Sequence, residues 1–331
     1  MRIVFHGANA RAFEPGFSAL LDHPHDIVTV PDALVASSDV EAFVTADVII
    51  GIRLDASMPR PERVRLYHAP AAGTDGIDRT RLPAGVPLCN CFGHEQAIAE
   101  YVMAALLARF VPWVEADRDL RERRWTYWAG SAASLHAEMG DRTIGLLGFG
   151  HIGKAIAARA KAFGMRVTVA NRSPVPASAL VDERFGLDGL SSFMGSADAI
   201  VVSLPLTPET RGLVDAQQIA AMRPDAVLIN VGRGPVIDET ALYHALKERR
   251  IAGAVIDTWY VYPSADNPNP WPGTLPFHEL SNVVMTPHMS GWTTGTIRRR
   301  QQAMAENVGR LHRGKPLINV VQPSFASVPR S

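Results

Sequence analysis

The sequence predicts an α/β protein with two Rossmann-like or flavodoxin-like parallel-sheet domains, one inserted in the other. Short β-branched apolar runs alternate with longer segments of helical spacing, which is typical of βαβ units. The runs after residue 143 are more uniformly apolar, as expected when helices cover both faces of a sheet. The length of 331 residues and the hydrophobic content of 47% suit two folded domains with sizeable cores.

The first set of elements precedes a charged connector. The strand candidates are RIVF, DIVTV, ADVII and RVRLYHA, and a helix is predicted around residues 96–110. The stretch WVEADRDLRERRWTYWAG then predicts an exposed helix followed by an irregular segment.

The second set restarts the alternation and ends in a long helix. Its strand candidates are TIGLLGFG, MRVTVA, ADAIVVSL, AVLINV, AGAVID and NVVMTP. The last helix candidate, TIRRRQQAMAENVGRLHRG, ends in Gly314, and we expect it to return to the N-terminal unit. We therefore predict a substrate-binding domain of residues 1–113 and 291–331, a nucleotide-binding domain of residues 114–290, and a ligand cleft between them.

Composition excludes several classes of function. The 33 basic and 33 acidic side chains cancel, so nothing favours nucleic acid or an anionic membrane as a partner. Cys89 and Cys91 are separated by one residue, so on one strand their side chains would point to opposite faces and could not form a disulfide. We therefore predict two buried thiols in a reducing cytoplasm. No metal site is predicted, because further ligands at suitable spacing are missing nearby. No signal peptide and no membrane span is predicted. The run Arg298–Arg300 occupies three faces of a helix, so we expect a solvated surface or a contact to cofactor phosphates.

A glycine motif predicts a dinucleotide site. Gly148-Phe-Gly-His-Ile-Gly153 follows an apolar strand, opens a helix and precedes a second strand, as a dinucleotide-binding fingerprint requires. Its glycines allow the backbone to approach a pyrophosphate at the helix N-terminus. We expect the cofactor to contact Gly148, Gly150, His151, Ile152 and Gly153.

The end of the second strand bears on the choice of cofactor. Asn171 stands where an acid usually binds the adenosine ribose, and Arg172 and Ser173 follow it. A guanidinium and a hydroxyl suit a 2′-phosphate, whereas a carboxylate would repel it. NADP(H) is therefore favoured and NAD(H) is possible; the alternative is that the three residues form only a polar turn.

Three polar side chains end successive strand candidates. Arg233 lies in NVGRG after AVLI, Asp257 ends AGAVID, and His288 follows NVVMTP. The carboxyl ends of parallel strands meet at one edge of a sheet, so we expect these side chains to converge on the ligand crevice. The alternatives are a turn histidine and an arginine paired with a surface carboxylate.

The ordered motifs GFGHIG, SLPLTPETRGLV, INVGRGPVID, AGAVIDTW and MTPHMSG resemble the D-isomer-specific 2-hydroxyacid dehydrogenase family. The stretch APAAGTDGIDRTRLPAGVPLCN resembles the substrate-domain signature of the family, so the resemblance covers nearly the whole chain. It implies hydride transfer between a nicotinamide and a 2-oxo or 2-hydroxy acid. Arg233 would bind the carboxylate and polarise the carbonyl, His288 would exchange the proton, and Asp257 would hold the carboxamide.

The resemblance implies further contacts. Backbone N–H groups of Ala72, Gly73 and Thr74 would hold the substrate carboxylate, and Ser290 would also contact the substrate. The remaining cofactor contacts implied are Pro205, Thr210, Val231 and Gly232. Family members are usually homodimers through the nucleotide domain.

One position departs from the family pattern. Tyr262, within IDTWYVYP, stands where the family has a glutamate that pairs with the catalytic histidine. A phenol orients an imidazole without favouring its charged form, so we expect a lower pKa for His288 than a carboxylate partner would give. Asp266 or Glu279 could supply a carboxylate instead. Our hypothesis is that Tyr262 orients His288 and that reduction is the favoured direction.

The missing glutamate keeps two alternative functions open. The formate dehydrogenase branch also lacks this glutamate and shares the PHxSG motif around the histidine, so one alternative is oxidation of formate or another small anion. In that branch the residue at the position of His94 contacts the substrate. His94 is therefore a second substrate contact or, equally, a helix cap. The other is a non-catalytic nucleotide sensor, as the C-terminal-binding corepressors are.

Three tryptophans, Trp259, Trp271 and Trp292, either line a roomy substrate pocket or serve as packing residues.

Overall fold

The computed structural model describes residues 1–130, 132–264 and 266–321, which form two compact units. Met1–Gly93 and the residues from Thr294 onward form one, here called the terminal unit. His94–Thr293 form the other, the inserted unit. Each unit is a parallel sheet with helices, which confirms the predicted fold class.

The elements follow the predicted alternation. The strands are β1 (Arg2–His6), β2 (Asp26–Val30), β3 (Val48–Ile50), β4 (Leu66–His68), β5 (Leu88–Cys89), β6 (Thr143–Leu147), β7 (Arg166–Ala170), β8 (Glu183–Phe185), β9 (Ala199–Val202), β10 (Val227–Asn230), β11 (Gly253–Ile256) and β12 (Val283–Met285). The helices are α1 (Gly7–Arg11), α2 (Ser37–Val44), α3 (Glu95–Phe110), α4 (Trp113–Arg121), α5 (His151–Ala162), α6 (Leu190–Gly195), α7 (Ala216–Ala220), α8 (Glu239–Lys247) and α9 (Thr294–His312).

The strand order in the inserted unit indicates which end of the sheet would bind a ligand. The seven strands run β8-β7-β6-β9-β10-β11-β12, and all neighbours are parallel. The first six therefore follow the order 3-2-1-4-5-6 of dinucleotide-binding sheets. This order reverses between β6 and β9, and ligands bind beyond the carboxyl ends of the strands at such a point.

Buried apolar side chains cover both faces of this sheet. Leu147 packs on one face with Phe193 of α6, and Leu146 packs on the other with Val102 of α3 and Ile156 of α5. Each such side chain contributes about 1.5–3 kcal/mol when fully buried. Because α3 packs in this core, the structural boundary lies after Gly93 rather than at residue 113.

The terminal unit is a five-stranded parallel sheet in the order β2-β1-β3-β4-β5. This is the 2-1-3-4-5 order of flavodoxin-like sheets. Met304 and Val308 of α9 pack against Ile3 and Phe5 of β1, so the prediction that the last helix returns to this unit is confirmed.

Polar contacts also tie α9 to this sheet. The Asn307 side chain is 2.9 Å from His68 Nε2 and donates to Ile318 O at 3.0 Å. Burial lowers the pKa of His68 to about 4. The two cysteines are buried thiols, as predicted, and burial raises the pKa of Cys89 to about 11 and that of Cys91 to about 12.

Two short strands, β5 and β8, were not among the strand candidates, because two or three residues carry too little alternation to be recognised. The exposed helix predicted after residue 112 is confirmed: α4 has no buried residue.

Within the described ranges, no single helix combines the length and apolarity needed to cross a membrane, although α3 and α4, bent by 49° at their junction, pass that test as a pair on length and composition. The same ranges contain no group of three or more His, Cys, Asp or Glu side chains able to hold a metal ion.

Candidate active site

The loop after β6 has the geometry of a pyrophosphate-binding turn. Gly148 has a φ of +99°, which side-chain-bearing residues rarely adopt. A Cβ on Gly153 would lie 2.3 Å from Gly148 O, so the third glycine lets the helix α5 start against the loop. A Cβ on Gly150 would meet no atom within 4 Å, which leaves this backbone open to a ligand. The predicted contacts His151 and Ile152 form the first turn of α5.

The Asn171 side chain bonds within the protein. Its Oδ1 accepts the N–H of Phe149 at 3.2 Å, and its Nδ2 donates to Ser173 O at 2.9 Å. Asn171 thus connects the glycine loop to the turn after β7, a positioning role that the sequence analysis did not assign to it. Arg172 and Ser173 are exposed in this turn.

A third loop follows β9. Thr210 Oγ1 donates to Pro205 O at 2.7 Å and accepts the N–H of Thr207 at 2.8 Å. The hydroxyl of Thr210 therefore closes the 205–210 turn, and Pro205 is exposed on it.

Arg233 is presented by a closely packed turn after β10. Buried Asn230 accepts the N–H of Gly232 at 3.1 Å and donates to Arg233 O at 3.2 Å. A Cβ on Gly232 would lie 2.6 Å from Leu204 O, so only glycine fits there. Val231 is buried, and Arg233 Nη1 donates to Gly232 O at 2.9 Å. The turn fixes the backbone from which the guanidinium projects.

His288 follows β12 in a strained turn. Its φ of +57° is in the left-handed region, which is uncommon for histidine, and its N–H donates to Thr286 O at 3.0 Å. Strain of this kind costs of the order of 1–3 kcal/mol and persists where surrounding contacts fix it, often at functional sites.

Asp257 supplies those contacts. This fully buried carboxylate accepts the Thr286 hydroxyl at 2.6 Å, the Met289 N–H at 2.8 Å and the Ser290 N–H at 3.0 Å. The Tyr101 hydroxyl on α3 lies 2.7 Å from Thr286 Oγ1. Charge-assisted bonds of this kind are among the stronger ones in proteins. The Asp257 carboxylate therefore holds the turn bearing His288, and its contact with the nicotinamide carboxamide stays a prediction.

Tyr262 hydrogen-bonds to the predicted catalytic histidine. Its Oη is 2.9 Å from His288 Nδ1 and accepts the N–H of Trp259 at 3.1 Å. The phenol can donate to Nδ1 or accept from it, and either bond orients the imidazole so that proton exchange with a substrate would occur at Nε2. The residue at the family's glutamate position is thus in contact with His288.

The structure brings His94 and Ser290 close to the same turn. A Cβ on Gly291 would lie 3.3 Å from His94 Cβ, and Ser290 is buried. His94 occupies the N-cap position of α3, but within the described chain its side chain makes no capping hydrogen bond. The position thus agrees with the helix-cap alternative without a side-chain capping bond, and both interpretations of His94 stay predictions.

The predicted carboxylate-binding residues Ala72, Gly73 and Thr74 lie in the terminal unit, between β4 and β5. They are partly exposed, and Ala72 O accepts the Asn90 side chain at 2.7 Å.

Two of the three tryptophans have packing roles. Trp259 is buried in the core, and its indole N–H donates to Thr286 O at 2.7 Å. Trp271 stacks on His278 with ring centroids 3.7 Å apart. The packing alternative is therefore confirmed for Trp259, while Trp292 is half-exposed.

Sequence reasoning missed Tyr101 and Thr286. Nothing in the helical pattern EQAIAEYVMAALLARF distinguishes a tyrosine that reaches another element from one that packs. A threonine before Pro287 carried a weak signal, since a hydroxyl at a strand end can bond a nearby carboxylate.

Comparison with known proteins gives a consistent result. Residues 103–290 match the family model described as D-isomer specific 2-hydroxyacid dehydrogenase, NAD binding domain. Glyoxylate reductase of Aeropyrum pernix is 33% identical over 287 residues, which cover 83% of this chain and 82% of that protein.

Two solved structures resemble nearly the whole chain. A D-isomer specific 2-hydroxyacid dehydrogenase from Xanthobacter autotrophicus Py2, in complex with NADPH and MES, has a TM-score of 0.80 and 28% identity over 97% of this chain and 98% of that one. An NADPH-dependent glyoxylate/hydroxypyruvate reductase from Sinorhizobium meliloti, in complex with NADP and malonate, has a TM-score of 0.75 and 26% identity over 97% and 96%.

Proposed function

Because this chain belongs to the D-isomer specific 2-hydroxyacid dehydrogenase family, we propose that it reduces a 2-oxo acid to a D-2-hydroxy acid with NADPH. The matched family model and the relatives support an oxidoreductase of this family with a nicotinamide dinucleotide site. The observation that carries the proposal is the turn bearing His288, held by Asp257 and oriented by Tyr262 at the edge of the sheet that also presents Arg233.

The glycine loop fits the dinucleotide. Gly148 and Gly153 shape the turn, and the open backbone at Gly150 together with the N-terminus of α5 suits a pyrophosphate. When bound, NADPH would supply the hydride. His151, Ile152, Pro205, Thr210, Val231 and Gly232 stay predicted contacts.

NADP(H) is the proposed preference. The turn after β7 presents exposed Arg172 and Ser173, and Asn171 has no charge to repel a 2′-phosphate. The two solved relatives named above were determined with NADPH or NADP, which supports the proposal without deciding it.

Two residues would act on the substrate. The planar guanidinium of Arg233 suits bidentate binding of the carboxylate and polarisation of the 2-oxo group. His288 would donate a proton from Nε2 to the oxygen that becomes the hydroxyl. Ala72, Gly73, Thr74, His94 and Ser290 are proposed to complete substrate binding. We propose that Tyr262 orients His288 through its hydroxyl and that reduction is the favoured direction.

A spectrophotometric assay tests the function. Purified protein should oxidise NADPH in the presence of glyoxylate, pyruvate, hydroxypyruvate or a larger 2-oxo acid, with a higher kcat/KM for NADPH than for NADH. Formate with NADP⁺ is the matched control for the formate alternative. Failure to consume any 2-oxo acid, or reduction of NADP⁺ by formate, would contradict the proposal.

We also propose a homodimer through the inserted unit. Large apolar side chains are exposed on α4 and the connector after it, among them Trp113 at 64%, Trp125 at 67% and Trp128 at 54%. Aromatic side chains are enriched in the cores of protein interfaces.

Light scattering should therefore give the mass of two chains. The double substitution Trp113→Glu and Trp125→Glu should give the mass of one, because charges at an apolar interface oppose association. Trp271→Glu, at a residue that is 62% exposed elsewhere in this unit, is the matched control and should stay dimeric. A one-chain mass for the unaltered protein would refute the dimer.

A cytoplasmic location stays a prediction.

A further inference from the structure

The arginine run on α9 has an internal role. Arg298 is exposed, but Arg300 is buried at 7% exposure, and its Nη1 donates to Pro70 O at 3.0 Å. Arg299 Nε donates to Gly93 O at 2.7 Å. The expectation of a solvated surface is therefore wrong for Arg300, while half-buried Arg299 also binds a backbone carbonyl of the terminal unit. A contact of these residues to cofactor phosphates stays a prediction.

Arg300 takes part in a series of bonds to successive peptide groups. Pro70 O accepts from Arg300, Ala71 O accepts the N–H of Cys91 at 3.0 Å, and Ala72 O accepts the side chain of Asn90 at 2.7 Å. Three consecutive carbonyls are thus bonded to donors on α9 and on the segment after β5.

The N–H groups of the same peptides belong to Ala71, Ala72 and Gly73. None of the three donates to another residue of the described chain, and all three residues are partly exposed. A trans peptide group holds its C=O and N–H on opposite sides, so each carbonyl bond also fixes the direction of the following N–H. Successive oriented N–H groups are a recurrent way to bind anions.

The charge of Arg300 adds to this orientation. A guanidinium stays protonated at any pH at which a protein is folded, and it is weakly screened when buried. Its bond to Pro70 O polarises the peptide between Pro70 and Ala71, which makes the N–H of Ala71 a stronger donor. A fixed positive charge behind the loop also favours an anion in front of it.

We propose that Arg300 and Asn90 are positioning residues of a carboxylate-binding loop at Ala71–Gly73, and that Arg300 makes the site prefer carboxylates to uncharged ketones. The inference rests on the proposed function, in which this loop binds the substrate carboxylate. It adds the residues that orient the loop and the charge that selects the substrate class.

The test compares a 2-oxo acid with its methyl ester. Arg300→Met should raise KM for the acid by about 10–100-fold, the range for a lost charge-assisted bond, and clearly less for the ester, which loses the orienting bond but not the attraction to a charge. Arg300→Lys, which keeps the charge, should restore most of the preference for the acid. Asn90→Leu should raise KM for acid and ester together, since it disorders the loop without removing charge. Arg298→Met is the matched control and should leave all values unchanged, and kcat and NADPH affinity should change little in every variant.

An equal KM change for acid and ester in Arg300→Met, or no change, would overturn the inference while the reductase activity of the unaltered protein stands. If Arg300→Met does not fold, the acid-to-ester ratio of Arg300→Gln, which also removes the charge but keeps a donor, decides the same question. If the unaltered protein reduces no 2-oxo acid, calorimetry of oxamate binding to the NADPH-loaded protein replaces the assay. Binding that weakens in Arg300→Met then supports the loop although the proposed function fails, and absence of binding overturns both.

Discussion

Replacing His288 by asparagine should lower kcat for 2-oxo acid reduction by about 10²–10⁴-fold, the usual contribution of a positioned acid or base. Asparagine removes the imidazole with the least distortion of the turn, because it tolerates the left-handed conformation that His288 adopts at φ +57°. The turn and its three bonds to Asp257 should therefore persist, and only the group that exchanges the proton is lost.

Binding and turnover must be measured separately on this variant. NADPH fluorescence should give an affinity close to that of the unaltered protein, because the glycine loop after β6 is unchanged. His278→Asn, at an exposed histidine that stacks on Trp271, is the matched control and should keep full activity. A His288→Asn variant with normal kcat would show that another group supplies the proton.

Replacing Tyr262 by glutamate should move the alkaline fall of the reduction rate to higher pH, by about 1–3 pH units if the carboxylate reaches the imidazole. The sign follows from charge: reduction needs a protonated His288, and a carboxylate beside Nδ1 stabilises the imidazolium, whereas the phenol now 2.9 Å away does not. At a pH above the present fall, the variant should then be faster by up to about tenfold for each unit gained.

Tyr262→Phe separates orientation from charge. It removes the hydroxyl that bonds His288 and the Trp259 N–H, so kcat should fall while the pH at half-maximal rate stays near that of the unaltered protein. The pH dependence of kcat/KM across the three proteins is the required measurement. Superimposable profiles for Tyr262→Glu and the unaltered protein would show that this position does not control the histidine.

Local signals were sufficient to predict the fold and the main strand-end residues. The GFGHIG motif between two strands fixed the nucleotide unit, and the order of apolar runs predicted both parallel sheets. Arg233, Asp257 and His288 follow β10, β11 and β12 as expected, because neighbouring parallel strands end at the same edge.

Contacts between elements distant in sequence could not be predicted in this way. Asp257 bonds a turn about thirty residues later, and Arg300 bonds a carbonyl more than two hundred residues earlier. The spacing of residues along one element carries no information about such partners. From the sequence alone, Arg300 on α9 is therefore predicted to be a solvated surface residue, although it is buried. For the same reason the sequence does not predict the two bonds by which the Asn171 side chain connects two loops.

The fate of the hydride tests the central claim most directly. NADPH deuterated at the transferable position of C4 should be incubated with the best 2-oxo acid of the panel other than glyoxylate, whose product is achiral, and the product analysed by mass spectrometry and chiral chromatography. We predict one deuterium on C2 of the D-2-hydroxy acid, and far less product with Arg233→Gln. Oxidation of the NADPH with no deuterium in a hydroxy acid would contradict the proposed reaction.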